Sequence, residues 1–417
     1  MKQEKPGLPM AAILAVALFL AGCTVPAAEL PVGTSVPSPT SPPPATPSAP
    51  VPASPLHYFS SATGSQTADG FYSMEYHEDW TGYIVYHDFA TLQSVPLCSR
   101  PDCEHHDASC TAWVENPTDI PDVMNNGRQL LYCYNNFPGP DKKPPRIETA
   151  NLDGSDRREL YTFAANDVLD PGIGIDGNAV YLLARHVEET GETWRMLRID
   201  TQDGGETVLW QTRAKSDTSY YFSGCLDNQL VLKEIRPGDG ASGDPFEQLR
   251  NQVHTLYLLS PAGGDLQPLY SWQQDTGLEL PARDELFYVS DGQLSQLTGS
   301  GGLTPVAQSP LLGPQYSSRL YATDDALWVS TTNVGPEAAS SVEICRVDRA
   351  TGQVETVPLS ASYAVTVHGS SGDSLFIEVL PGYGMSDAGD GFYALVPEEL
   401  LRTAATVEEL ADCRFHN

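Results

Sequence analysis

The sequence is short of positive charge and lacks the brief signatures that mark many enzymes. Lys and Arg number 23 against 54 Asp and Glu, for a formal net charge of −31. A surface of that sign repels phosphate backbones and anionic headgroups, which excludes nucleic acid as a partner and rules out a polybasic membrane patch. There is no Cys-x-x-Cys, so the usual dithiol redox pattern is missing. No Gly-x-Ser-x-Gly elbow, His-Glu-x-x-His helix or glycine-rich phosphate loop occurs. The apolar run Ala11–Ala21 is too short, and ends too abruptly, to span a bilayer.

What the sequence has instead is a repeat. The stretch 175–212 (IDGNAVYLLARHVEETGETWRMLRIDTQDGGETVLWQT) reads as a turn, a strand, a link, a second strand, a hairpin and a third strand. Its first strand recurs at Phe71-Tyr72, Leu131-Tyr132, Val180-Tyr181, Leu230-Val231, Leu286-Phe287, Leu327-Trp328 and Leu375-Phe376. Each copy follows a turn-former cluster: ADG, NNG, DGN, LDN, ARD, TDD and SGD. The later copies step by about 49 residues, within the range of propeller blades.

The hairpin recurs as HDFATLQSV from His87, NLDGSDRREL from Asn151, DTQDGGETVL from Asp200, SPAGGDLQPL from Ser260, TGSGGLTPV from Thr298 and VDRATGQVETV from Val347. A degenerate copy, VPEELLRTAATV, starts at Val396. A lone sheet of this kind cannot bury both faces, whereas radial neighbours bury them and ring closure removes the lateral edge. The expectation is an all-β propeller over 56–417 with an inner strand at each listed position. Seven blades are favoured over six or eight, and over a pair of β-sandwiches.

Residues 1–22 read as a processing segment, with Lys2 and Lys5 ahead of the apolar run. The run ends in Leu20-Ala21-Gly22-Cys23, which resembles the lipobox of bacterial lipoproteins. That resemblance implies cleavage before Cys23 and a diacylglycerol thioether on its sulfur, holding the chain on the extracytoplasmic face of the cell membrane. Residues 23–55 are rich in Pro, Ser, Thr and Ala and poor in aliphatic and aromatic side chains, the composition of an extended spacer.

One dense chemical cluster interrupts the repeat: LCSRPDCEHHDASCTAW at 97–113, with Cys98, Cys103, His105, His106 and Cys110. Three readings stand. A disulfide, Cys98–Cys103 or Cys98–Cys110, would staple a short loop in an oxidising compartment. A zinc or iron site would use Cys98, Cys103, Cys110 and one of His105 or His106. A redox thiol ranks last for want of Cys-x-x-Cys. The run Ser94-Val95-Pro96-Leu97-Cys98, Pro101-Asp102-Cys103, His105, Cys110 is similar to a segment of lipobox lipoproteins of anaerobic Firmicutes. With the repeats, it resembles the TolB-like and WD40-like propeller heads of such proteins. The resemblance implies fold and location and carries no activity.

The mature chain has seven cysteines besides Cys23. Cys133, Cys225 and Cys345 fall in or beside strands as small buried groups, and Cys413 is a candidate to pair with the cluster. Gly372-Asp373-Ser374-Leu375 spells a hydrolase nucleophile block but falls where every other copy has a turn, and Asp412 and His416 are one residue too far apart to complete it. The run Asn151–Asp156 looks like a calcium loop but sits in a hairpin. His186, His254 and His368 read as sheet residues. The long links at 137–146, 237–251 and 381–391 are the candidate contact loops.

Function follows only coarsely. The leading expectation is a monomeric head that binds or scaffolds a protein, peptide or glycan of the envelope without catalysis. The alternatives are a carbohydrate-active hydrolase or lyase, which would need paired carboxylates in the central channel, and metal binding through the Cys/His cluster.

Overall fold

The computed structural model describes residues 55–416, apart from 60–63, 77–80, 99, 101, 115–120, 136–142, 190, 214–216, 239–250, 274–275, 314–316, 334–340, 362 and 382–390. The leader, Cys23, the spacer as far as 54 and most of the three long links lie outside the described residues.

Seven antiparallel sheets follow one another along the chain, each with consecutive strands side by side. Blade 3 shows the logic. Its strands are Asp167–Ile175, Ala179–Glu188, Gly191–Asp200 and Glu206–Arg213. The first turn closes because Asp176 Oδ1 accepts the N–H groups of Asn178 and Ala179 at 2.7 and 2.8 Å. Residues 179–184 of the second strand are buried throughout, although side chains alternate between faces, because a neighbouring blade covers each face. The outermost strand buries only Leu209. Apolar character therefore fades from hub to rim.

The packing shows that the row of sheets closes. Seven apolar clusters fill the seven seams between successive blades. Ala179, Tyr181 and Leu183 of blade 3 meet Phe222, Leu230 and Leu232 of blade 4 in one of them. The last seam joins Phe376 of blade 7 to Phe71 and Phe89 of blade 1. The chain is a seven-bladed propeller, as the repeat implies.

The phase of the repeat differs from the sequence reading. The recurring apolar strand is the second of each blade, and the hub is formed by the strand before the turn, such as Leu278–Ala282 in blade 5 and Ser317–Ala322 in blade 6. Hub strands escape pattern recognition because they are short or bulged and mix polar with apolar residues. Register shifts interrupt Asp167–Ile175, Ser219–Leu226, Ser317–Ala322 and Tyr363–Ser371.

The degenerate seventh hairpin is also explained. Blade 7 has three strands, Tyr363–Ser371, Ser374–Pro381 and Phe392–Pro397. A short helix Glu398–Thr403 and a 3-10 turn Val407–Cys413 stand in place of the hairpin. The tail then bridges the last seam: Phe415 donates to Tyr393 O at 3.0 Å, His416 donates to Leu92 O at 2.9 Å, and Ser94 donates to His416 O at 2.7 Å. No helix among the described residues is long and apolar enough to cross a membrane.

A second unanticipated element lies at the hub. The strand His57–Phe59, at the start of the folded unit, pairs antiparallel with Ile173–Ile175 of blade 3. It is pinned toward blades 4 and 5: Tyr58 O–H donates to Phe222 O at 3.2 Å, Tyr58 N–H donates to Arg283 O at 2.9 Å, and Leu56 N–H donates to Asn228 Oδ1 at 3.1 Å.

Candidate metal centre

The Cys/His cluster sits in a break in the outer strand of blade 1. The third strand, Gly82–Asp88, pairs with Gln93–Pro96 over residues 85–88 and with Trp113–Val114 over residues 82–83. Both ends of the intervening loop are stitched to Ile84: Leu97 N–H donates to Ile84 O at 2.8 Å, and Ile84 N–H donates to Ala112 O at 2.9 Å. The loop therefore has a fixed base. Leu97, Cys110 and Ala112 are buried in the seam between blades 1 and 2, with Cys98 and Cys103 packed against them.

Within this frame the chain turns tightly. Cys103 N–H donates to Arg100 O at 3.3 Å, and Cys110 N–H donates to Asp107 O at 3.0 Å. His105 adopts φ 57°, an unusual backbone for a residue with a Cβ, and this turns its ring back onto the thiols. The sulfurs of Cys98, Cys103 and Cys110 and one ring nitrogen of His105 all lie within 4.8 Å of one another. A tetrahedral zinc with Zn–S near 2.3 Å places its ligand atoms about 3.8 Å apart. The set therefore fits after a shift of about an ångström, with the ligand number and types of a closed structural site.

Electrostatics favour thiolate on one side of the site. Burial pushes the Cys98 thiol up, but the Arg100 backbone N–H, the thiols of Cys103 and Cys110 and the Arg100 guanidinium outweigh it and bring the group down to about 7. Arg100 Nη2 also donates to Cys103 Sγ at 2.9 Å and to Ser109 Oγ at 3.0 Å. Cys110, facing the core, is pushed up to about 12, chiefly by burial. Its sulfur lies 3.2 Å from His105 Nδ1. A divalent cation would deprotonate such a thiol outright.

The structure sorts the sequence candidates. Of the two histidines, His105 joins the three sulfurs, while His106 is exposed and outside the group. The seven described cysteines, Cys98, Cys103 and Cys110 among them, are free thiols, with no two at disulfide-bonding distance. Cys413 cannot fasten the cluster, because it packs against the core between blades 6 and 7 while the cluster packs between blades 1 and 2. Cys133, Cys225 and Cys345 are buried strand residues, as expected. Ser374 opens a strand directly after the Gly372 turn, so the hydrolase-like block is structural. His186 and His368 hold the carboxylates of Asp167 and Glu378 at 2.7 and 3.0 Å.

A second concave feature is the hub itself, a cavity of about 920 Å³ bordered by His57–Phe59 and the first strands of several blades. Three carboxylates line it: Asp69, Asp176 and Glu279. Asp176 is committed to its turn and to Tyr181 O–H, at 2.8 Å. Glu279 is paired with Lys233 through Oε1 and accepts from Ser223 Oγ at 3.4 Å. The lining also holds Arg283, Arg319 and Tyr321.

No protein-family model matches this sequence, and no curated protein matches it. Solved structures do. The chain is similar in fold to two enzymes and to the propeller domain of a third. An acylaminoacyl peptidase solved with Z-Gly-Gly-Phe-chloromethyl ketone is 11% identical, with a TM-score of 0.50 over 81% of this chain and 51% of that one. The propeller domain of the trilobed protease from Pyrococcus furiosus is 11% identical, with a TM-score of 0.49 over 82% of this chain and 96% of that one. An oligogalacturonate lyase in complex with manganese is 14% identical, with a TM-score of 0.43 over 81% of this chain and 83% of that one. This chain spans about half the length of the peptidase. At such identity the likeness is one of fold alone.

Proposed function

We propose that this protein is a lipid-anchored, extracytoplasmic propeller that binds a partner at the envelope without catalysis, and that a structural zinc staples its first blade. The observation that carries the reading is the convergence of Cys98, Cys103, His105 and Cys110 at the break in the outer strand of blade 1. A closed four-ligand set leaves no open position for substrate, which is the mark of a structural rather than a catalytic metal. The ion's work is mechanical: it holds the two halves of one strand against the same partner.

The non-catalytic side of the reading is supported at the hub. Two of its three lining carboxylates are already held, Asp176 by a turn and Glu279 by Lys233. A glycosidase-like pair needs one carboxyl free as acid and its partner free as base or nucleophile. The anchor follows from Cys23 and its preceding Leu20-Ala21-Gly22.

Two experiments test this. Protein purified under reducing conditions should carry one zinc per chain, and Cys103→Ser or His105→Ala should release it, while Cys345→Ser should retain it. Retention of full zinc by the first two variants would defeat the metal assignment. Separately, Cys23→Ser should move the protein from the membrane fraction to the soluble one; a protein that stays membrane-bound is not held by that lipid.

A further inference from the structure

Blade 5 differs from the others in the residue that takes a left-handed backbone at the turn between first and second strands. In the other blades where this turn uses positive φ, it falls on Gly127, Asp227, Asn228 and Gly372. Blade 5 places Arg283-Asp284 there, and Arg283 takes φ 57°. A residue with an ordinary side chain is strained in that backbone region, which Gly, Asn and Asp tolerate far better. The turn would be better made without the arginine, so the reason for it lies in its side chain.

That side chain has no acid to hold. Its guanidinium lies 5.8 Å from the centroid of the Tyr321 ring, and Nη2 reaches Tyr321 Oη at 3.4 Å, a weak bond. No carboxylate pairs with it among the described residues, although Asp284 follows it in the chain. Arg319, on the first strand of blade 6, is also exposed; no hydrogen bond or close ion pair holds it among the described residues, although its charge helps to lower the pKa of Glu378. By contrast, Arg157, Arg195, Arg346, Arg349 and Arg402 each hold a carboxylate. Arg283 and Arg319, neither in a close ion pair with a carboxylate among the described residues, line the same cavity, beside Tyr58, Tyr321 and the apolar wall Leu280–Ala282.

We propose that the hub cavity binds a small organic carboxylate, gripped by Arg283 and Arg319, with its body against Tyr321 and the His57–Phe59 strand. The guanidinium fork matches a carboxylate through two parallel N–H···O bonds. The volume of about 920 Å³ suits a ligand of two or three rings or a few residues. The surrounding charge of −31 disfavours a polyanion, so the ligand carries one or two charges. The inference deepens the binding role proposed above and does not depend on the zinc.

Isothermal titration of the full-length protein in detergent, with its zinc content measured in the same samples, tests it in two arms. One arm compares a trisaccharide ending in glucuronate with its neutral glucose counterpart. The other compares a tripeptide bearing a free C-terminal carboxylate with its C-terminal amide. One carboxylated probe should bind at least about tenfold more tightly than its neutral partner, and the arm in which it does so names the ligand's source. Arg283→Gly and Arg319→Gln should each weaken that binding about tenfold or more. Arg283→Gly should melt no lower than the native protein, because it relieves the turn; Arg319→Lys, which keeps the charge and loses the fork, should also bind more weakly. A native protein that does not prefer a carboxylate in either arm, or variants that keep the preference, would overturn the proposal. Full zinc in those samples would leave the metal assignment standing.

Discussion

His87 sits fully buried at the seam that closes the ring. Its Nε2 lies 2.7 Å from Ser73 Oγ and its Nδ1 lies 2.9 Å from Ser94 Oγ, with Phe376, Tyr393 and Phe415 around the ring. Burial, helped by nearby His368, pushes its pKa from 6.5 down to about 3. The unfolded chain therefore takes up the proton first as pH falls. The stability that neutral His87 contributes is intact above about pH 6.5 and lost progressively toward pH 3, by at most about 1.4 kcal/mol per pH unit. Asp170 works in the opposite sense: burial raises its pKa to about 6, so the folded state binds that proton first and gains below pH 6. Bulk acid stability mixes the two. The difference between wild type and His87→Gln isolates the histidine. Urea melts at pH 7.5 and pH 5 should show the stability gap between the two narrowing at the lower pH; a constant gap would show that His87 does not titrate differently on folding. Ser73 and Ser94 reach His87 from the neighbouring strands of its own blade, but nothing near it in the sequence signals the burial, because Phe376 and Phe415 meet it only when the ring closes. The metal ligands were legible for the opposite reason: Cys98, Cys103, His105 and Cys110 lie within one short loop, so spacing alone brought them together. What spacing could not show was the choice of His105 over His106, which rests on a left-handed backbone at one residue.

At the scale of elements, the seventh blade carries the risk of the design. It lacks a fourth strand, and the tail 414–416 supplies the contacts across the last seam instead. Phe415 packs edge-on against Phe376 at 5.5 Å between centroids and beside Phe89 at 6.3 Å. Removing residues 414–417 takes away the three backbone hydrogen bonds across the seam and this half-buried ring, a loss of about 2–4 kcal/mol. Hydrogen exchange should then speed up in Gln93–Pro96 and Phe392–Pro397 and stay slow in blades 3 to 5. Uniform acceleration, or none, would mean that the tail is not the local clasp. Second strands and outer hairpins were readable in sequence because they are regular and bounded by turn formers. The strand His57–Phe59 was not, because three residues beside a Pro-rich stretch carry no period, and their place is set by Gly174 and Arg283 far along the chain.

The propeller is a closed ring with one side opened by a loop and a hub partly filled by the strand His57–Phe59. Ring closure makes each blade depend on two neighbours, so the fold was the most legible feature: a period of about 49 residues with turn formers at fixed phase has few other solutions. Blade count came from the repeat; hub chemistry did not, because cavity residues come from several separate blades. In the sequence the ARD turn passes as one turn-former cluster among seven; only the ring shows that Arg283 lines the same cavity as Arg319. The loop at 97–112 matters at this scale too, since it interrupts the sheet at the rim of blade 1. The most direct measurement is therefore zinc K-edge absorption on the intact, reduced protein. It should show three sulfurs near 2.3 Å and one nitrogen near 2.0–2.1 Å, collapsing in His105→Ala to a shell with altered nitrogen content. A shell of oxygen and nitrogen only, or no zinc signal above background, would contradict the account.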